Sequence, residues 1–419
     1  MNSYLLIIGL CIVIIISFFC NILARKTNIP SVLILILLGV GIHQLLVSME
    51  MTLDFRGALE VLGIVGLIMI VLEAALDLEL KKDKWPIIWK SFTIASFSLA
   101  LTSLVLSFFI RLLLPELTFL AAMVYALPLS IMSSAITIPS VANLNNYKRE
   151  FLIYESTFSD ILGIMVFYMI IENIDVAGMR QLSFAIGSNI FLTLIISIIL
   201  SYVLLYVIQN IKGEVKFFLF LAVLVLLYAV GKMFHLSSLI IILMFGLLLR
   251  NYRVLLFGKL KEWLHDPEIE SVFKEFKMIT VETSFLVRTF FFVVFGMTLP
   301  LISLLNWQVW LISTIFLLAT YILRFGLFYI IEKKDTLPQT FIAPRGLISI
   351  LLFFAIPESL KTEGFESGVL FVVIIATSVI MAWSLITSGR SKIKNQDEES
   401  IIDQESPSDG NVPIELPID

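Results

Sequence analysis

An all-α polytopic membrane protein is the fold class that three observations predict. Of the 419 residues, 59% are hydrophobic, and the mean hydropathy of +1.00 lies far outside soluble usage. The apolar residues are gathered into runs close to the roughly 20 residues that cross a hydrocarbon core. The basic residues fall on alternate connections between those runs, twenty against five, which is the bias expected when one side faces the cytoplasm.

The runs number thirteen. The first six lie near 3–23, 30–47, 57–79, 86–113, 117–144 and 150–172, and the rest near 181–209, 215–231, 235–249, 279–302, 307–331, 337–357 and 366–387. One set of connections holds bases such as Lys81, Lys82, Lys148, Arg149, Arg250, Lys333 and Lys334; the other holds Arg56, Arg111, Arg180, Lys232 and Lys361. An error of one span would scramble this pattern. It puts the chain in the cell membrane as a multi-pass protein among lipids, with the N-terminus outside and the C-terminus cytoplasmic. The first segment lacks the positive region of a secretory signal and is read as a retained span. The segment 252–277, charged but carrying Leu255, Phe257, Trp263, Phe273 and Phe276, reads as an interfacial amphipathic helix.

The net charge of −4 comes from one end. Residues 390–419 carry eight acids and three bases, which leaves 26 bases and 25 acids in residues 1–389. The chain therefore divides into a transmembrane domain, 1–389, and an acidic cytoplasmic tail, 390–419, read as disordered. Cys11 and Cys20 both fall in the first span, and the three histidines lie at span ends or in a loop. No phosphate loop, zinc spacing, nucleophile elbow or basic stripe for nucleic acid is visible. With no His or Cys nucleophile–base pair in the spans, the chain is not read as an enzyme, and no cofactor is expected.

Two spans are interrupted. The fifth contains Pro128 and the run 133–140 ending at Pro139 and Ser140; the twelfth contains Pro338 and Ala343-Pro344-Arg345-Gly346. Proline removes a helix donor and clashes with the turn before it, and freed backbone groups at membrane depth survive only inside protein or along a cavity. Pro139 and Pro344 are read as the breaks. If spans 1–6 and 8–13 are inverted repeats, spans five and twelve correspond, and paired breaks of this kind point to a transport site.

The sixth span carries the charge. Glu155, Ser156, Ser159, Asp160 and Gly163 share a stripe of about 140° at 3.6 residues per turn, with Phe158 and Leu162 turned away. Ionisable groups at this depth cost roughly 2.5–3.5 kcal/mol or more and belong to ion or proton traffic. Glu73, Glu155 and Asp160 are the buried acids; Arg288 and Arg345 are the central bases, whereas Lys90 and Arg324 lie close enough to the inner surface to snorkel. Glu73 and Glu155 are read as ion-pair partners of the two arginines, with Glu73, Arg288 and Arg345 structural. Asp160 is then left to take either a proton or a monovalent cation, with Ser156, Thr137, Glu155 and Ser159 around it. The cation ligands are read as Asp160, Ser156 and Thr137. One exchanging carboxylate implies one cation per proton and no net charge moved.

These residues resemble a family. Glu155-Ser156-x-x-Ser159-Asp160 is similar to the Glu-Ser-x-x-Asn-Asp signature of monovalent cation/proton antiporters, in the sodium/proton exchanger branch. Thr137-Ile138-Pro139 resembles its Thr-Asp-Pro in the fifth helix and Arg345-Gly346 its Arg-Gly in the twelfth. Glu73 within Leu72-Glu73-Ala74-Ala75-Leu76-Asp77 resembles the end of its third helix, and Arg288 its tenth-helix base. The resemblance implies electroneutral exchange of Na⁺, Li⁺ or K⁺ for H⁺ by alternating access, in a homodimer with a mobile core. Two positions depart from the pattern: Ser159 stands where the family has a bracing asparagine, and Ile138 where it has an aspartate. The loss at Ile138 also fits a channel or ion-sensing membrane protein of the same fold without coupled exchange.

Overall fold

Two helical bundles meet along a cavity. In the computed structural model the described residues are 3–27, 31–48, 56–142, 144–172, 195–203, 206, 222, 224–226, 228–229, 238–255, 266–298, 301–333, 336–362, 365 and 367–405. Among them every regular element is helical: α1 (Ser3–Thr27), α2 (Ser31–Ser48), α3 (Arg56–Asp77), α4 (Trp85–Leu113), α5 (Phe119–Ser130), α6 (Ser134–Ser140) and α7 (Asn146–Glu172), then α8 (Ser238–Leu255), α9 (Asp266–Thr298), α10 (Trp307–Ile331), α11 (Leu347–Phe354) and α12 (Ser367–Glu405). Seven helical segments among the described residues are long and apolar enough to cross a membrane. The seventh and eighth predicted spans lie largely outside the described residues.

Local chemistry sets the ends. Pro86 sits in the first turn of α4, where a missing N–H does no harm. Thr118 caps α5 by accepting the Ala121 N–H at 3.2 Å, and Asn306 caps α10 by accepting the Gln308 N–H at 3.0 Å, each satisfying one free donor. Of the segment 252–277, read as an interfacial helix, only the two ends are described. α8 runs to Leu255 and α9 starts at Asp266, with Phe273 and Phe276 buried, so the apolar residues of 266–277 extend a spanning helix. Residues 256–265 lie outside the described residues. α12 likewise continues to Glu405, past the boundary at 390, because Lys, Gln and Glu in that stretch are strong helix formers; residues from 406 lie outside the described residues.

α1, α2, α3, α8 and α9 pack on one another, and α4 packs with α5, α7 and α10, joined by α6, α11 and α12. The bundles meet where α7 approaches α3 and α8 and where α11 approaches α3. A small hydrophobic cluster of Leu78, Ile88 and Tyr154, separate from the main core, marks that seam. There the Tyr154 hydroxyl donates to the Glu79 carbonyl at 2.8 Å, and Asn251 holds the same turn, accepting the Leu80 N–H at 2.6 Å and donating to the Leu78 carbonyl at 2.8 Å.

Candidate functional site

The fifth and twelfth spans are both discontinuous, and their unwound stretches touch. α5 ends at Ser130 and α6 begins at Ser134, with Ile131 and Ser133 in extended conformation; residues 342–346 are non-helical before α11. Three successive N–H groups freed by the first break are each taken by a different acceptor. Met132 donates to Ser159 Oγ at 2.9 Å, Ser133 to the Pro344 carbonyl at 2.9 Å, and Ser134 to Asp160 Oδ2 at 3.0 Å. Buried backbone donors demand such partners, so α7 and the second break hold the first open.

The break is therefore not at Pro139, which lies inside α6. Side-chain acceptors on α7, rather than a proline, fix its place; Pro344 does lie in the second unwound stretch. Two glycines permit the crossing. A Cβ on Gly346 would run into the Ser133 side chain, and one on Gly163 into the Ile131 side chain. The gap that Gly163 leaves on the stripe is thus filled by Ile131.

All five stripe residues of α7 are buried, while Phe158 and Leu162 are half-buried. Asp160 is 1% exposed. Its Oδ1 has no hydrogen-bond partner among the described residues. Ser156 donates to the Ile153 carbonyl at 3.2 Å and Thr137 to the Ser133 carbonyl at 2.8 Å, so neither hydroxyl is donated to Asp160. Among the described residues no group of three or more His, Cys, Asp or Glu stands ready to hold a metal ion.

The ion pairs differ from the sequence reading in one respect. Arg288 Nη2 lies 3.2 Å from Glu73 Oε1, but Glu155 pairs with Arg324, not Arg345. Arg324 is 2% exposed and grips Glu155 with both terminal nitrogens, Nη2 to Oε2 at 2.9 Å. It also donates to the carbonyls of Thr340 at 3.1 Å and Ile342 at 3.0 Å, and its guanidinium lies 4.9 Å from the Phe328 ring centroid. Closeness to a span end suggested snorkelling; the acceptors around 339–342 and Glu155 draw the side chain inward instead. Only its distance of two turns from the surface, against the cost of burying it, could have flagged this residue. Arg345, 2% exposed, faces carbonyls: Nε donates to Leu129 and Nη1 to Ala343 at 2.8 Å, while its own N–H donates to Thr377 Oγ1 at 3.0 Å. It neutralises the carbonyl end of α5 and the second break.

Between the bundles lies a cavity of ≈ 560 Å³. Glu73, Asp77, Glu282 and Arg288 face it from α3 and α9, and Ser134, Ile138 and Ser140 from α6. The Ile138 position thus lines the cavity, and its carboxylates come from other helices. Asp77 pairs with Lys277 at 2.7 Å.

The model of the family described as "Sodium/hydrogen exchanger, transmembrane" matches residues 14–388. The chain belongs to that family. It is a multi-pass membrane protein, with the fold seen in two structures of the sodium/proton antiporter MjNhaP1 from Methanocaldococcus jannaschii. One, determined at pH 8, is 20% identical with a TM-score of 0.68, and the alignment covers 92% of this chain and 96% of that one. The other, an electron-microscopy map, is 18% identical with a TM-score of 0.64 and the same coverage of each chain. No curated protein sequence matches the chain.

Proposed function

We propose that this chain exchanges one monovalent cation, Na⁺, Li⁺ or K⁺, for one proton per cycle by alternating access, without net movement of charge. The observation that carries the reading is Asp160: buried beside the first helix break, with one oxygen held by the Ser134 N–H and the other unpartnered among the described residues. An isolated carboxylate there is neutralised either by a proton or by a cation, and competition between the two couples their fluxes. Glu155 and Glu73 are held by Arg324 and Arg288, and Arg345 by carbonyls, so a single carboxylate exchanges. Ser156 and Thr137, whose hydroxyl oxygens keep free lone pairs, complete the cation's ligands.

The cation reaches this site through the cavity lined by Asp77, Glu73 and Ser134. Asp77 lies four residues before Lys81 in the base-rich connection, which makes the cavity the cytoplasmic approach. The bundles move relative to one another to expose the other side, and spans 1–6 and 8–13 supply the inverted repeats for that movement. The protein works as a homodimer in the cell membrane, N-terminus outside, with residues 390–419 a cytoplasmic tail.

The test is a cation-by-cation assay of proton movement in proteoliposomes, with Asp160→Asn alongside. Wild type should move protons against Na⁺, Li⁺ or K⁺, unaffected by an imposed diffusion potential of either sign. It should slow at low pH, where protons outcompete the cation, and at high pH, where few protons remain for the return step. Asp160→Asn should abolish exchange in a protein that still inserts. Wild-type flux in that variant would overturn the assignment, as would large currents at fixed pH without proton coupling.

A further inference from the structure

A second, much smaller cavity lies beside the crossing, on the α4 and α10 side. Ser130, Met132, Glu155, Ser159, Arg324 and Arg345 line it, and it offers ≈ 10 Å³ to the centre of a water-sized sphere, about the room one water takes. Its walls are charged and sealed from the surface: Glu155 is 1% exposed, Arg324 and Arg345 2% each. Several of their hydrogen-bonding valences are uncommitted. Arg345 spends Nε and one Nη1 hydrogen on carbonyls, and its Nη2 has no partner among the described residues. Ser159 Oγ accepts from Met132, leaving its own hydrogen to give. Ser130 donates to the Ala126 carbonyl at 2.8 Å and keeps lone pairs, as do the Glu155 oxygens.

Apolar cavities of this size stay empty, whereas polar ones with two to four partners take water. Leaving guanidinium hydrogens unpaired in such a place is costly. Two guanidiniums beside one carboxylate repel a metal cation, and the volume is too small for a polyatomic anion.

We propose that this cavity is a binding site for a single resident water, which accepts from Arg345, takes the Ser159 hydrogen or gives one to Ser130, and donates to Glu155. It ties the first break to the Glu155–Arg324 pair through Ser159, a side chain too short to reach that pair itself. The site does not depend on which ion is exchanged, or on exchange at all.

The test uses the full-length wild type and Ser159→Asn, whose longer amide fills the cavity. A structure resolved well enough to show other buried waters should contain one peak within hydrogen-bond distance of Arg345 Nη2 in wild type and none in the variant. In parallel, brief X-ray radiolysis with mass spectrometry converts a bound water to hydroxyl radical, which oxidises a neighbouring methionine to its sulfoxide. Met132, 3% exposed, should be labelled well above Met69, which is 0% exposed and lies away from the cavity; in Ser159→Asn its labelling should drop to the Met69 level. An empty cavity, Met132 labelled no faster than Met69 in wild type, or labelling unchanged in the variant would each overturn the proposal. The two wild-type measurements decide alone if the variant does not fold.

Discussion

Glu155–Arg324 and Glu73–Arg288 are both carboxylate–guanidinium pairs within the membrane part of the chain, yet they are built differently. In the first, both side chains are at most 2% exposed, the contact is two-pronged, and the arginine also holds carbonyls beside the second break. In the second, the side chains are 14% and 22% exposed, a single nitrogen makes the contact at 3.2 Å, and both residues face the large cavity. An arginine engaged on every side acts as a rivet. An arginine that touches one carboxylate oxygen at a cavity wall is held more loosely. The difference teaches that burial and geometry, not the presence of opposite charges, separate a tightly fixed pair from a loosely held one.

Breaking the first pair should have the largest effect on stability. Arg324→Ala strands Glu155 and two or more carbonyls and should cost roughly 3–5 kcal/mol, seen as lost folded yield or a much lower melting temperature in detergent. Glu155→Gln keeps an acceptor for Arg324 and should cost clearly less; equal losses in the two variants would show that the carbonyls around 340–342 contribute nothing. Glu73→Gln should lower stability by only about 1 kcal/mol, as for part-exposed pairs, while reducing exchange. A loss as large as that of Arg324→Ala would erase the distinction between the pairs. Asp160→Asn should barely shift the melting temperature, since the amide oxygen still accepts the Ser134 N–H. Smallest of all, truncation after Ser388 should leave exchange unchanged in proteoliposomes; its loss in a well-inserted protein would give the tail a working part.

Much of this was legible in the sequence for identifiable reasons. Hydropathy sets the spans, and the 3.6-residue period puts Glu155, Ser156, Ser159, Asp160 and Gly163 on one buried stripe. Glu73 and Arg288 stand out as ion-pair members because each lies deep within a span, although which acid meets which base is not written in the sequence; the structure joins these two. What stayed hidden was relational. The partner of Glu155 lies 169 residues away, and nothing local to Arg324 announces the carbonyls that draw it in. The first break was assigned to Pro139, the visible helix breaker, but acceptors on a different helix determine it, and they place it at 131–133. Ser159 looked like a weakened brace; a hydroxyl proves long enough to accept the Met132 N–H, because Gly163 lets Ile131, and with it the unwound strand, lie close against α7.

That close fit has a mechanical consequence. Asp160, the strand 131–133 and the loop 342–346 are keyed together by three backbone donors, an interlocked isoleucine and a glycine with a serine against it. None of them can slide along another without unmaking the rest, so whatever displaces Asp160 must carry the whole knot as one piece. Bending has to occur elsewhere. At the turn 78–81 α7 is fastened to the opposite bundle by a tyrosine hydroxyl and a small patch of side chains. Replacing that hydroxyl, as in Tyr154→Phe, should loosen the joint and leave the knot intact.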